Sequence, residues 1–110
     1  MNDQAAQIVP VVVLPAEIDV TNAEEVYEQL VAAFAPGVST VIADMTSTVF
    51  CDSSGVHAIM HAYESAAARD VQMRLAVSSA TSVRRVLELI GVGRLMPVHA
   101  SLQEALNASA

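Results

Sequence analysis

Two hydrophobic periods alternate along this chain, and that alternation limits its fold more than any other feature. Short β-branched apolar runs take turns with longer segments whose apolar residues recur every three or four positions. The order reads strand, helix, strand, helix, strand, helix, strand, helix. Consecutive strands joined through helices must run in the same direction, so the pattern predicts an α/β fold around a largely parallel sheet. In such sheets functional groups gather beyond the carboxyl ends of the strands.

The first run, Ile8 to Leu14, is apolar on both faces and reads as a buried strand, with Pro10 near its start where a missing N–H is tolerated. Residues 1–7 are polar or small and are expected to fray. Pro15-Ala16-Glu17-Ile18-Asp19 turns the chain out of the strand. Thr21-Asn22-Ala23-Glu24 has the spacing of a capping box and opens a helix. Val26, Leu30, Ala33 and Phe34 form its sheet-facing stripe, Glu24, Glu25 and Glu28 its acidic outer side, and Pro36-Gly37 its stop. Thr40 to Met45 is the second strand. Val71 to Val77 is the third, with Met73 and Leu75 alternating against Gln72 and Arg74. Ser79 to Thr81 caps a helix striped by Val83, Val86, Leu87 and Ile90 and ended by Gly91. Leu95 to His99 reads as the last strand, and Ser101-Leu102-Gln103-Glu104 as a second capping box opening a helix through Asn107.

At 110 residues the chain can build one domain and one core. Net charge is −7, and the five cations are all arginines: Arg69, Arg74, Arg84, Arg85 and Arg94. So acidic a chain, with no lysine, is unsuited to direct nucleic-acid binding or to an anionic membrane surface. It suits a basic protein partner better, although solubility explains acidity equally well. Cys51 is the only cysteine, which rules out an internal disulfide and fits a reducing, cytoplasmic setting. The start Met-Asn-Asp-Gln lacks a positive n-region, so no signal peptide is expected. The longest apolar run is too short to span a bilayer, so no membrane insertion is expected. No cofactor is expected.

Between the second strand and a helical pattern from about Val56 to Arg69 lies Val49-Phe50-Cys51-Asp52-Ser53-Ser54-Gly55-Val56. Two serines therefore stand where a strand turns into a helix. The first turn of a helix carries unpartnered N–H groups and the positive end of the dipole. Asp and Ser cap such an end, and a phosphate on a serine there is electrostatically favoured. Capping alone also accounts for these residue types. Asp44, at the end of the second strand, and Asp52 are a pair of carboxylates, equally explained as turn and cap residues. In the helix that follows, Val56, Ile59, Met60, Tyr63 and Ala67 form one stripe. His57 and His61 stand four apart on another face beside Glu64. A zinc-protease helix would have Glu where Ala58 stands, so exposed histidines are the expectation and no metal site is assigned. Ser54 and His57 are the one nominal Ser/His pair, and nearness in sequence is not the geometry of a triad. Arg84 and Arg85 stand together, able to meet a phosphate or an acidic partner, or simply solvent.

Taken in order, these pieces resemble the STAS domain, and within it the small bacterial anti-sigma factor antagonists. The resemblance runs from about Ile8 to Leu106. It rests on Pro15-Ala16-Glu17-Ile18-Asp19, on Val41-Ile42-Ala43-Asp44 followed by Phe50-Cys51-Asp52-Ser53-Ser54-Gly55, on Gly91-Val92-Gly93-Arg94-Leu95 and on Ser101-Leu102-Gln103-Glu104-Ala105-Leu106. It implies a single STAS-like domain over residues 8–107, with a mostly parallel, mixed sheet of four to five strands and about four helices. It implies a regulator without catalysis, which binds an anti-sigma factor, often a serine kinase, and so frees a sigma factor. The kinase would phosphorylate Ser54, the serine directly before the glycine, and binding would be lost until a phosphatase acted on phospho-Ser54. Asp52, Ser53, Ser54, Gly55, Val56 and His57, with Asp44 close by, would make the partner surface. A second implication is a non-catalytic STAS subunit of a larger signalling scaffold or of a membrane transport system. The chain departs from the family pattern at Ala16, where the family usually has Gly, and at His57, where the residue is often small. Its short N-terminal segment implies a reduced or absent first edge strand.

Overall fold

The structure is a computed structural model that describes residues 9–108. The expected fraying of residues 1–7 and the start of the first run at Ile8 lie outside the described residues. The strands are β1 (Val11–Val13), β2 (Glu17–Ile18), β3 (Thr40–Met45), β4 (Phe50–Cys51), β5 (Gln72–Val77) and β6 (Val98–His99). The helices are α1 (Ala23–Ala32), α2 (Ser53–Ala68), α3 (Ser82–Ile90) and α4 (Leu102–Asn107), with a 3-10 turn at Val92–Arg94.

The main sheet has the order β1-β3-β5-β6. Every pairing in it is parallel, with Val11 opposite Ile42, Thr40 opposite Gln72, and Leu75 opposite Val98. The α/β expectation therefore holds, and no antiparallel pair occurs among the described residues. A second, two-stranded parallel ladder sets Glu17 opposite Phe50 and Ile18 opposite Cys51. The turn expected over Pro15–Asp19 thus contains a strand, which the sequence does not reveal because two residues are too few to show any period. Thr48 ties the same corner together, its buried hydroxyl donating to the Pro15 carbonyl at 2.9 Å.

Strand alternation divides the core into two layers. Val41, Ala43 and Met45 of β3 and Met73, Leu75 and Val77 of β5 face the main core, which α1, α2 and α3 complete with Val26, Leu30, Val56, Ile59, Val83 and Leu87. The opposite sides of those strands present Ile42 and Ala76 to Ala105 and Leu102 of α4. Both faces are covered, so the alternation read in β5 does not separate core from water. Arg74, expected on a polar side, is buried under α4; its Nη1 donates to the Ala105 carbonyl at 2.8 Å and its Nε to Gln72 Oε1 at 3.0 Å.

The helix starts differ from the sequence reading in physical detail. The capping box at Thr21 does not form, and α1 begins at Ala23 with no side-chain cap from Asn22. Thr21 donates its N–H and its hydroxyl to Asp19 Oδ1. Asn22 accepts from the Asp19 N–H and donates from Nδ2 to the Glu17 carbonyl. Short polar side chains here bond the β2–α1 link in preference to the helix end. The Thr21 hydroxyl and then its N–H hold the Asp19 carboxyl below its ordinary range. Thr81 stands at the start of α3 without its side chain accepting a capping bond, whereas Gly91 ends that helix in the left-handed region at φ 87°, as expected. Ser101 does cap α4, accepting from the Glu104 N–H at 3.0 Å, while Glu104 reaches back to the Ala100 N–H. The last strand shrinks from the expected Leu95–His99 to Val98–His99, because Val92–Arg94 coils into the 3-10 turn and Leu95 and Met96 follow it as a turn and a bend.

Candidate functional site

Helix α2 starts at Ser53, three residues before the expected Val56. The serines thus belong to its first turn rather than to a loop ahead of it. Asp52 is extended, and its Oδ1 accepts from the Gly55 N–H at 3.2 Å, while its carbonyl accepts from the Val56 N–H. The side chain does what the sequence expected of a cap. Ser53 is exposed and Ser54 half-buried, both within the turn whose leading N–H groups lack helical partners.

Gly55 explains how this turn is held. A Cβ there would lie 2.7 Å from Cys51 Sγ and 2.7 Å from Ile18 Cγ2. Only a residue without a side chain lets the backbone of α2 settle onto the β2–β4 ladder at that distance. Ser54 is therefore fixed on one side by the Asp52 cap and on the other by a glycine in contact with the ladder. Cys51 lies beneath, buried, its thiol pushed up to about 11 by burial and, second, by the neighbouring Asp52 carboxylate. That thiol stays protonated near neutrality and is a poor nucleophile.

On its outer side Ser54 opens into a cleft of about 430 Å³ between α1 and α2. Glu24 and Tyr27 of α1 form one wall, Ser54, His57 and His61 of α2 the other, with Ala23 and Ala58 as the floor. Tyr27 and His61 meet edge to face, ring centroids 6.5 Å apart. His57 and His61 are exposed, in keeping with the sequence expectation. The α2 stripe is shifted from the one expected. Val56 and Ile59 are buried, joined by Ala58, Ala62 and Ala66, whereas Ala67 is exposed. Among the described residues no three His, Cys, Asp or Glu side chains stand together as a metal site would require. Ser54 and His57 share the cleft without a hydrogen bond between them.

Asp44 is placed away from this cleft. It sits at the end of β3, 8% exposed, with Oδ1 accepting the N–H and hydroxyl of Thr46. Val56 is in the core. Of the residues expected at a partner surface, the structure brings Ser54 and His57 into one cleft, with Asp52, Ser53 and Gly55 forming the turn behind it. Sequence reasoning missed that Glu24, Tyr27 and His61 join them. It also missed the apolar rim of the β2–β4 corner, where Val20, Val49 and Phe50 are 76%, 54% and 50% exposed. The signal available for the rim was Val49-Phe50, two large apolar residues directly after the polar run Thr46-Ser47-Thr48; helix α1 gave no sign of its place across from α2.

The family model of the STAS domain matches residues 2–105. The chain belongs to the STAS family. Among solved structures, it is similar to an anti-sigma factor antagonist from Mycobacterium paratuberculosis, with TM-score 0.76 and 23% identity over 87% of this chain and 80% of that one. An anti-sigma-factor antagonist (STAS) domain protein from Planctomyces limnophilus matches with TM-score 0.72 and 23% identity over 89% of this chain and 86% of that one. A sulfate transporter family protein from Wolinella succinogenes matches with TM-score 0.64 and 20% identity over 93% and 88%. No curated protein matches the chain. At these identities the likeness establishes the STAS fold. No helix among the described residues is long and apolar enough to cross a membrane.

Proposed function

We propose that this STAS domain is an anti-sigma factor antagonist. It binds an anti-sigma factor that is also a serine kinase, releases the sigma factor, and loses that affinity when Ser54 is phosphorylated. The supporting observation is the mounting of Ser54: half-buried in the first turn of α2, held by the Asp52 cap, and seated by Gly55 against the β2–β4 ladder. A rigid turn presents one hydroxyl in one geometry, which suits both docking and modification. Ser53, Ser54 and His57, with the exposed Val49 and Phe50 beside them, form the contact surface, while Asp52, Gly55 and Val56 support it from behind and Asp44 stands apart, bonded to Thr46.

In the modification step the Ser54 Oγ forms a bond to the γ-phosphorus of ATP as the bond to the ADP oxygen breaks, and the hydroxyl proton passes to a base on the kinase. A phosphatase reverses the state by hydrolysis to inorganic phosphate. The added group carries about −1.5 to −2 charge at neutral pH. A helix start tolerates it, while a partner surface fitted to the unmodified turn does not. The domain itself does no chemistry in this scheme, and it acts in the cytoplasm.

The test compares Ser54→Ala and Ser54→Asp for binding to the cognate anti-sigma factor. Retained binding by the first and weakened binding by the second is the expected result; equal affinities would sink the reading. The alternative, a STAS subunit of a scaffold or transport system, draws on the likeness to the Wolinella sulfate transporter family protein. Its mark is copurification with a larger assembly that is indifferent to loss of the Ser54 hydroxyl.

A further inference from the structure

We propose that the α1–α2 cleft is the seat of the phosphoryl group carried by Ser54, with His57 as its counter-charge, so that the phosphorylated state takes up a proton near neutral pH. This rests on the phosphorylation of Ser54 proposed above. Three observations carry it. Ser54 is half-buried, and the open space beside it is the cleft. His57 is one helical turn further along α2, on the same wall, and is exposed, so its imidazole is free to turn toward a group on Ser54. His61 lies a turn beyond, its ring already engaged edge-on by Tyr27.

The charges around the cleft set the direction. From α1, Glu24 and Tyr27 face it, with Glu28 exposed farther along. From α2, His57 and His61 face it, and Glu64 lies beyond them. Asp52 is turned back onto the Gly55 N–H. A phosphoryl dianion is repelled by Glu24 and thereby driven toward the α2 wall, where the cationic form of His57 lies on the same wall as Ser54. Histidine and the second phosphate ionisation ordinarily titrate within one unit of each other, near 6.5 and 6. Bringing the two together raises the first and lowers the second. Near pH 7 phosphorylation then adds less net negative charge than the phosphate alone, and its repulsion of a partner grows as pH rises.

The test uses protein with phosphoserine installed at position 54 during translation, so that no kinase is needed. Histidine pKa values are read by NMR in the phosphorylated and unmodified proteins, with His99 on β6 as the internal reference. The expected result is a rise of about one unit at His57, a smaller rise at His61 and none at His99, an estimate for charges a few ångströms apart at a surface. In phosphorylated His57→Gln protein, the second phosphate pKa, read by phosphorus NMR, should rise toward that of free phosphoserine. An unmoved His57, or equal shifts at His57 and His99, would overturn the proposal. Failure of the antagonist reading is seen separately, as unchanged partner binding by the same phosphorylated protein.

Discussion

Gly55 and Asp52 are where single atoms decide the site. Gly55→Ala puts a Cβ into contact with two side chains at 2.7 Å. Overpacking of that kind costs about 1–3 kcal/mol. Urea unfolding should show the loss, and adding Cys51→Ala should recover part of it by removing one of the two clashing atoms. Asp52→Ala removes the bond to the Gly55 N–H and should cost about 1 kcal/mol; Asp52→Asn, which keeps an acceptor, should fall close to wild type in the same assay. Cys51 gives a prediction with a pH sign. In the folded chain burial holds the thiol at about 11, above its ordinary value of 9.0. The stabilisation is therefore complete below pH 9 and is lost as pH rises toward 11. With no lysine in the chain, few other groups titrate in that window. The fall in unfolding free energy between pH 9 and 11 should be visibly shallower in Cys51→Ala. The Asp52 cap was legible in the sequence because helix capping requires a short list of amino acids.

Between elements, legibility depended on length. The long strands β3 and β5 and the helices announced themselves through period and breakers; Gly91 stopped α3 where expected, whereas α1 ended at Ala32, ahead of Phe34 and the Pro36-Gly37 breaker. The β2–β4 ladder did not, since its two-residue strands owe their existence to partners far away in the chain. The same is true of the cleft: Glu24 read as an outer acidic face, and only packing of α1 along α2 sets it opposite Ser54. Arg74 was misread because a parallel sheet covers both faces, and alternation then separates two interiors. Its bond to the Ala105 carbonyl anchors α4, a helix of six residues that is too short to persist without tertiary contacts. Arg74→Ala should destabilise the domain by about 1.5–3 kcal/mol. Hydrogen exchange should show the amides of α4 losing protection before those of β3 and β5; uniform loss across the domain would refute the anchoring role.

For the molecule as a whole, charge was legible from composition and its placement was not. Net charge is −7, yet Arg74 is buried and Arg84 is drawn to the Val77 carbonyl and Glu88. The cations that remain fully exposed, Arg69, Arg85 and Arg94, lie on α2's C-terminal end, on α3 and on the 3-10 turn. None lines the Ser54 cleft, where Glu24 is the charged wall. A partner surface approaching this end meets a negative field. Its association rate should drop about tenfold or more between low and high salt, while dissociation changes little. Stopped-flow measurement across a salt series reads both rates, and a salt-independent association rate would argue for an apolar docking mode centred on Val20, Val49 and Phe50.

The contact of Gly55 with Ile18 and Cys51 has a consequence for what can recognise Ser54 at all. Ile18 comes from the strand before α1, Cys51 from the strand after β3, and their pairing exists only once the intervening helix and strand have folded back. The serine is thus displayed by a conformational epitope assembled from two segments that lie far apart in the sequence. A short peptide copied from Val49 to Arg69 contains every residue of the motif and lacks Ile18 and the strand that pairs with β4 beneath it. An enzyme or binder that works through this turn addresses the finished domain, and nascent or unfolded copies are silent to it.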